Sequence, residues 1–456
     1  MANSSSSPKP ATSLSILIVG AGICGPALAL LLQRSNPNYR ITVVERSPTL
    51  RRGGQQIDLK AQCIPMMRQL GLLEELRKHC VHESGMELVD SQGRSLMQFG
   101  VAKAGETAKV FQLTHEFEFM RGDFVQLMYT TSLNERKILD TQGGNDGSLT
   151  YIFNTSVTAL TETTSNSTTA TFSSGDTKTY NLIVAADGQG SRTRRLAFGE
   201  PTSKEAFKSL NIHAAYYNIP RLPRENSLAR IYFAPQKRMV MTRTGDRPVT
   251  QVYLFLLKDG PQQQRLEKMR EVQKLPSREQ KDAWKDIYAD AGWECARFTQ
   301  GIDDVEDFYA TEIGQVKMPA GQLYTGRTVL LGDAGYCPSS FTGMGTTLSL
   351  VGAYVLAGEL TKSSDDVDAA LKAYETIMQQ PVKECQQLAG WIRDGSGIYP
   401  QSSWGIWAAN QVVWMLSILR IDLLVSALAW VLPEDKTEKW KLPEYPGMNM
   451  KAPGTE

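Results

Sequence analysis

Residues 15–45 read SILIVGAGICGPALALLLQRSNPNYRITVVE, and this stretch decides the fold. Ser15 to Val19 is a short β-branched run suited to a strand buried on both faces. Gly20-Ala21-Gly22-Ile23-Cys24-Gly25 follows, then PALALLLQR with helical periodicity, then a second buried strand from Arg40 that ends at Glu45. Glycines spaced GxGxxG between strand and helix, with an acid 20 residues after the last of them, read as a dinucleotide-binding βαβ unit. Gly20 permits the tight turn, Gly22 lets the backbone approach a pyrophosphate, and Gly25 lets helix and strand pack closely. The helix N-terminus offers unpaired N–H groups to phosphates. Glu45, with Arg46 beside it, stands where a ribose hydroxyl would be bound. On this motif alone NAD and FAD are both open.

Two further turns select FAD. The run VLLGDA is another buried strand, ending at Asp333. Phe341-Thr342-Gly343-Met344-Gly345-Thr346 then opens a second apolar helix. An aspartate at a strand's carboxyl end, followed by a helix N-terminus, suits a ribityl chain and the anionic edge of a flavin ring together, because the helix dipole stabilises charge gained on reduction. Between these lies LIVAAD, closing in an Asp187-Gly188 turn and a cationic helix start with Ser191, Arg192 and Arg194.

In this order the motifs resemble the group A flavin monooxygenases, which share the fold of para-hydroxybenzoate hydroxylase. Two local segments are similar to the branch of tetracycline-inactivating flavin monooxygenases: Gly53-Gly54-Gln55-Gln56-Ile57-Asp58-Leu59, and the helix start Phe119-Met120-Arg121. The similarity runs discontinuously from about residue 14 to 380. It implies an α/β chain with a Rossmann-like FAD domain, an inserted, mostly β-sheet substrate domain and C-terminal helices. It further implies that Asp58 lies by the flavin, that Arg121 contacts the cofactor, and that Asp187, Asp333 and the turn Gly343 to Thr346 bind it. NADPH (or NADH) is then the reductant, and O2 supplies one oxygen atom to an aromatic or polycyclic small molecule, by hydroxylation or epoxidation, in secondary metabolism. Two departures stand out: GDAAH becomes Gly332-Asp333-Ala334-Gly335-Tyr336, and Ser340 replaces a frequent proline, with Pro338 near. No residue is assigned as catalytic, because the cofactor carries the difficult chemistry.

Other readings stay open. A catabolic phenol hydroxylase and a double-bond reductase of the same fold fit the motifs. A halogenase fits less well, since no Trp-x-Trp-x-Ile-Pro segment occurs. A flavoprotein that merely sequesters a ligand would not need this set of motifs.

The motifs divide the chain into a disordered tail (1–13), a discontinuous FAD domain (14–85, 106–200 and 316–380), a substrate domain (86–105 and 201–315) and a C-terminal helical segment (381–456). The alternating runs NIHAAYYNI, LARIYFAP, RMVMTRTG and TQVYLFLL read as substrate-domain strands. His213, Tyr216, Tyr217, Tyr232, Arg238 and Arg243 lie on them, and adjacent Tyr216 and Tyr217 cannot both face a pocket. Arg51 and Arg52 either meet nicotinamide phosphates or lie in a solvated loop.

Bulk properties narrow the partners. Across 456 residues, 49 Lys and Arg balance 48 Asp and Glu, which gives no electrostatic footprint for nucleic acid and leaves a small molecule as the expected partner. Six scattered cysteines with no His cluster suggest neither a disulfide framework nor a metal site, and point to a reducing, cytoplasmic setting. The polar opening MANSSSSPKPATS lacks the apolar core of a secretory signal. Trp404 to Leu432 is strongly apolar but interrupted by Arg420 and Asp422. Each charge would cost about 2.5–3.5 kcal/mol at a bilayer centre. Two packed helices are the first reading, and weak membrane-surface attachment through 404–432 is the second. A monomer or homodimer is expected.

Overall fold

The computed structural model describes residues 13–51, 53–99, 117–164, 166–258, 263–363, 366–388, 400–418 and 440–450. A six-stranded sheet forms its first layer, in the spatial order Tyr324–Thr325, Thr328–Leu330, Leu182–Ala185, Ser15–Val19, Arg40–Val44, Ser148–Ile152. All neighbours run parallel except the first pair. Ser15–Val19 is central and covered on both faces, which explains its uninterrupted apolar run. Ile16 and Ile18 pack with the helices Cys24–Ser35, Arg121–Gln142 and Gly345–Lys362. Leu17 and Val19 pack on the other side with Phe172 and Tyr180. Those two residues belong to a small antiparallel sheet, Val157–Thr164, Ser167–Phe172 and Thr177–Tyr180, built from the Ser/Thr-rich stretch.

The second layer is a seven-stranded sheet in the order Tyr309–Val316, Phe207–Pro220, Val249–Leu257, Arg238–Arg243, Leu228–Ala234, Gly85–Val89, Ser95–Phe99. The hairpin 85–99 extends it by pairing in parallel with Leu228–Ala234. One face, carrying Ala215, Tyr217, Ile219, Val252 and Leu254, is sealed by the helices Gln263–Val272, Ser277–Tyr288 and Cys295–Gly301. Its opposite face carries Ile212, Ala214, Tyr216, Tyr253 and Phe255. A two-stranded ribbon, Gln56–Asp58 with Glu118–Met120, meets this second face, since the Gln56 N–H donates to the Tyr253 hydroxyl at 2.9 Å.

The C-terminal part differs from an all-helical segment. The helix Val367–Cys385 runs past residue 380 and Ser403–Ile418 is a further helix, but 440–450 is an irregular strap. Pro443 and Pro446 exclude helix there. Tyr445 lies over Gly358 and donates to Glu359 at 2.8 Å, while Arg34 donates to the Met450 carbonyl at 2.9 Å. Trp404, Trp407 and Trp414 are exposed. Arg420, Asp422 and the rest of that apolar run lie outside the described residues, as do 1–12 of the tail. Among the described residues no helix is long and apolar enough to cross a membrane. All six cysteines are buried thiols outside any disulfide.

Candidate functional site

The adenosine end is set by backbone contact. Gly20 adopts φ +112°, and a Cβ there would lie 2.5 Å from the Ala186 carbonyl oxygen. Glu45, at the end of its strand, is 8% exposed and accepts from Ala21 N at 3.0 Å and Ser47 N at 2.9 Å, one bond to each carboxylate oxygen. Each oxygen keeps capacity for a ribose hydroxyl. Arg46 is exposed at the rim. Glu45→Ala would strand both backbone donors, at about 1–3 kcal/mol each. The expected outcome is a lower Tm together with weaker FAD retention on gel filtration.

Arg121 begins its helix with an extended Met120 before it, and the guanidinium lies against the glycine turn. Nη2 is 3.3 Å from the place a Cβ on Gly22 would take, and the stem lies against Gly54. The guanidinium makes no hydrogen bond or ion pair with any described residue. Burial pulls its pKa down, Arg51 adds to that, and the neighbouring Tyr309, Asp333 and Glu45 oppose it. A half-buried cation without a partner beside a GxGxxG turn has the chemistry of a pyrophosphate ligand.

Asp333 sits at the mouth of the short helix Asp333–Tyr336, with Oδ1 facing Gly345, where a Cβ would be 3.9 Å away. Burial raises its pKa, and a hydrogen bond with Cys337 and the charge of Arg121 oppose the rise. Neither Cys24–Ser35 nor Gly345–Lys362 has a side-chain N-cap, so both helices present uncapped N-termini to the cleft. Gly343 takes the left-handed conformation (φ +62°), while Met344 and Thr346 are buried beneath the turn. Asp58 is paired with Lys60 at 3.0 Å, and both lie beside Gly343. These features suit FAD along its whole length.

Asp187 is placed differently. Its backbone touches Gly20, but its carboxylate accepts from Ser191 Oγ at 2.5 Å and from Thr193 N and Oγ1 at 3.0 Å, bracing the start of the helix Arg192–Phe198 beside its N-cap Ser191. Arg194 donates to Ala334 O at 2.6 Å, Gln189 O at 2.9 Å and Ser203 Oγ at 3.0 Å, clamping two of the turns together. Arg192 and Arg51 are exposed, and Arg52 lies outside the described residues.

Of the substrate-domain candidates, Tyr216 and Arg243 lie, buried, on the sheet face that meets the ribbon. Tyr216 packs edge-on to Tyr253 (5.1 Å between centroids) and stacks on Tyr309 (6.3 Å). Phe255 lies 6.0 Å from Phe341, the residue just ahead of the glycine turn. The others point away. Tyr217 donates to Phe298 O at 3.0 Å, Tyr232 to Ala291 O at 2.7 Å and Arg238 to Ile287 O at 2.6 Å, while His213 Nδ1 is bound to Gln273 at 2.8 Å. Sequence reading missed Tyr253, Phe255 and Phe341: Tyr253 and Phe255 lie on the neighbouring strand, opposite Tyr216 and Ala214, and Phe341 lies in the turn ahead of Gly343, so no pattern local to Tyr216 reaches them.

The profile of the FAD binding domain family matches residues 13–388. Over 442 residues the chain is 37% identical to the FAD-dependent monooxygenase asL6 of Sarocladium schorii, covering 96% of this chain and 99% of that protein. The chain belongs to this family of FAD-dependent monooxygenases. The monooxygenase is also 29% identical to CTB7 of Cercospora beticola, over 94% of this chain and 97% of that one. Among solved structures it is similar to the tetracycline destructase Tet(55), with a TM-score of 0.68 and 26% identity over 96% of this chain and 100% of the other. Tet(51) shares the fold, with a TM-score of 0.69 and 24% identity over 95% and 99% of the two chains. FAD is therefore the cofactor of this monooxygenase, and a small molecule and O2 are its substrates.

Proposed function

We propose that this monooxygenase takes reducing equivalents from NADPH or NADH and inserts one atom of O2 into an aromatic or polycyclic small molecule, by hydroxylation or epoxidation, in secondary metabolism. The observation that carries the reading is the aromatic sheet face of Tyr216, Tyr253 and Phe255, turned toward Phe341 at the glycine turn. A flat apolar substrate stacks on such a wall, and its burial would exclude water from the reacting centre. The name of Tet(55) makes a polycyclic compound, tetracycline, that protein's substrate, which agrees with this choice.

Hydride acceptance and oxygen activation are the chemistry that bound FAD supplies. The chain's residues bind and orient. Glu45 would hold the ribose, Arg121 the pyrophosphate and Asp333 the ribityl chain. The N-terminus of Gly345–Lys362, with the turn from Gly343 to Thr346, would hold the ring edge. Asp58 stands beside that turn, Asp187 shapes the backbone against Gly20, and Arg46 lies at the adenosine rim.

Nicotinamide oxidation across a panel of aromatic compounds, with product mass measured under isotopically labelled O2, tests the function. One labelled atom in the product is expected, and unlabelled or merely reduced products would refute it. Phe255→Ala should raise KM about tenfold, a loss of about 1.4 kcal/mol, with FAD content unchanged. An unaltered KM would remove Phe255 from the substrate wall.

A further inference from the structure

The ribbon beside the cleft places Asp58 and Glu118 directly opposite one another. The Glu118 side chain is 2% exposed, with Oε1 against Arg243 Nη2. Its Oε2 is buried without a partner of good hydrogen-bond geometry, and the carboxylate near enough to share a proton with it is that of Asp58. Arg243 cannot neutralise it fully. Glu83 takes that guanidinium with three contacts, at 2.9 and 3.2 Å to Nε and 2.6 Å to Nη2. Lys60, 3.0 Å away, is the cation paired with Asp58. Tyr253 completes the ring of groups facing the pair. Three carboxyls thus share two cations, and the acid left over is Glu118.

We propose that Glu118 holds one exchangeable proton and passes it through Asp58 to the cofactor-facing turn at Gly343. Glu118 is a positioning residue here, since it acts through Asp58. The inference rests on the oxygenase reading above. For hydroxylation, substrate C–H, O2, NAD(P)H and one proton give C–OH, NAD(P)+ and water. The nicotinamide's electron pair reduces one oxygen atom to water, and the other oxygen enters the substrate. The additional proton has to reach the reacting centre. Asp58 delivers it, Glu118 reprotonates Asp58, and solvent restores Glu118.

Burial first, then the negative charges of Asp58 and Glu83, raise the Glu118 pKa to about 8 against the pull of Arg243. Its ordinary value is 4.5, so from about pH 4.5 to about 8 the folded chain holds a proton that the unfolded chain has lost. Stability from this group is therefore complete below that window and declines as pH rises through it. Glu118→Gln keeps the shape and a donor toward Asp58 but cannot give up a proton. Relative to this variant, the parent's Tm should fall from pH 5 to about 8.

In turnover, the parent's product rate should drop above about pH 8. The variant should lack that limb and run about tenfold or more slower at neutral pH, with FAD content unchanged. A Tm difference that is the same at both ends of the window overturns the proposal without touching the oxygenase reading, because it needs no turnover. So does a variant that keeps the alkaline limb. A parent that oxidises no nicotinamide with any aromatic compound overturns the oxygenase reading, and with it the use given to this proton.

Discussion

Arg121→Ala should leave the apoprotein at least as stable as the parent while costing most of its bound FAD. The two effects have opposite signs because the guanidinium is half-buried with no hydrogen bond or ion pair to any described residue, and desolvation is the main force lowering its pKa. Deleting an unpaired, half-buried cation relieves part of a desolvation cost in the empty protein. A pyrophosphate supplies the missing partner, so the same deletion removes charged hydrogen bonds from the complex. At about 2–3 kcal/mol, the Kd for FAD should rise roughly 30- to 150-fold. Calorimetric titration of the apoprotein with FAD and a thermal melt without it would read both signs. A variant that binds FAD as tightly as the parent would remove Arg121 from the site. One whose apoprotein melts several degrees lower would make it a structural residue.

How much of this was legible in the sequence depended on whether the partner of each residue was near in the chain. The strand Ser15–Val19 and the glycine turn after it were readable because a doubly buried strand and a tight turn leave local marks. Gly343 and Asp333 were readable for the same reason. The Asp187 turn was readable as a turn, but not the destination of its carboxylate. Ser191 and Thr193, four and six residues on, offered the helix cap that captures it. Pro443 and Pro446 were a visible signal against helix that the apolar run upstream overshadowed.

Long-range placement was not legible. Alternation required Tyr216 and Tyr217 to point apart, but which one lay on the face that meets the ribbon depended on the helices between Gln263 and Gly301 sealing the Tyr217 side. Glu118 gave no local sign, being an acid between two phenylalanines, Phe117 and Phe119. Its meaning comes from Asp58, Glu83 and Arg243, which reach it from three separate segments. Arg243 reads from the sequence only as a cation on a substrate-domain strand; the fold commits it to two carboxylates.

Gly25→Ala should be among the most damaging single-methyl changes in the chain. A Cβ on Gly25 would lie 2.0 Å from the Gly20 carbonyl oxygen, an overlap with backbone that no rotamer can relieve. Gly20 cannot retreat either. Its N–H donates to Val44 O at 2.8 Å, and it is already pressed against the Ala186 carbonyl, which belongs to the neighbouring strand's turn. Moving helix Cys24–Ser35 outward would instead open the core formed by Leu28, Leu31 and the helix Gly345–Lys362. Overpacking of this kind costs about 1–3 kcal/mol or more. Here the strain falls on the turn that must approach the pyrophosphate, so the variant should purify colourless and melt several degrees below the parent. Gly190→Ala is the control, because a Cβ there meets nothing within 4 Å and its φ is ordinary. That change should stay within about 0.5 kcal/mol of the parent and keep its colour. Equal damage from both would mean that the chain tolerates no added methyl near its turns in general. A yellow, stable Gly25→Ala protein would mean that the helix does not rest on Gly20 and that the cofactor approaches the sheet elsewhere.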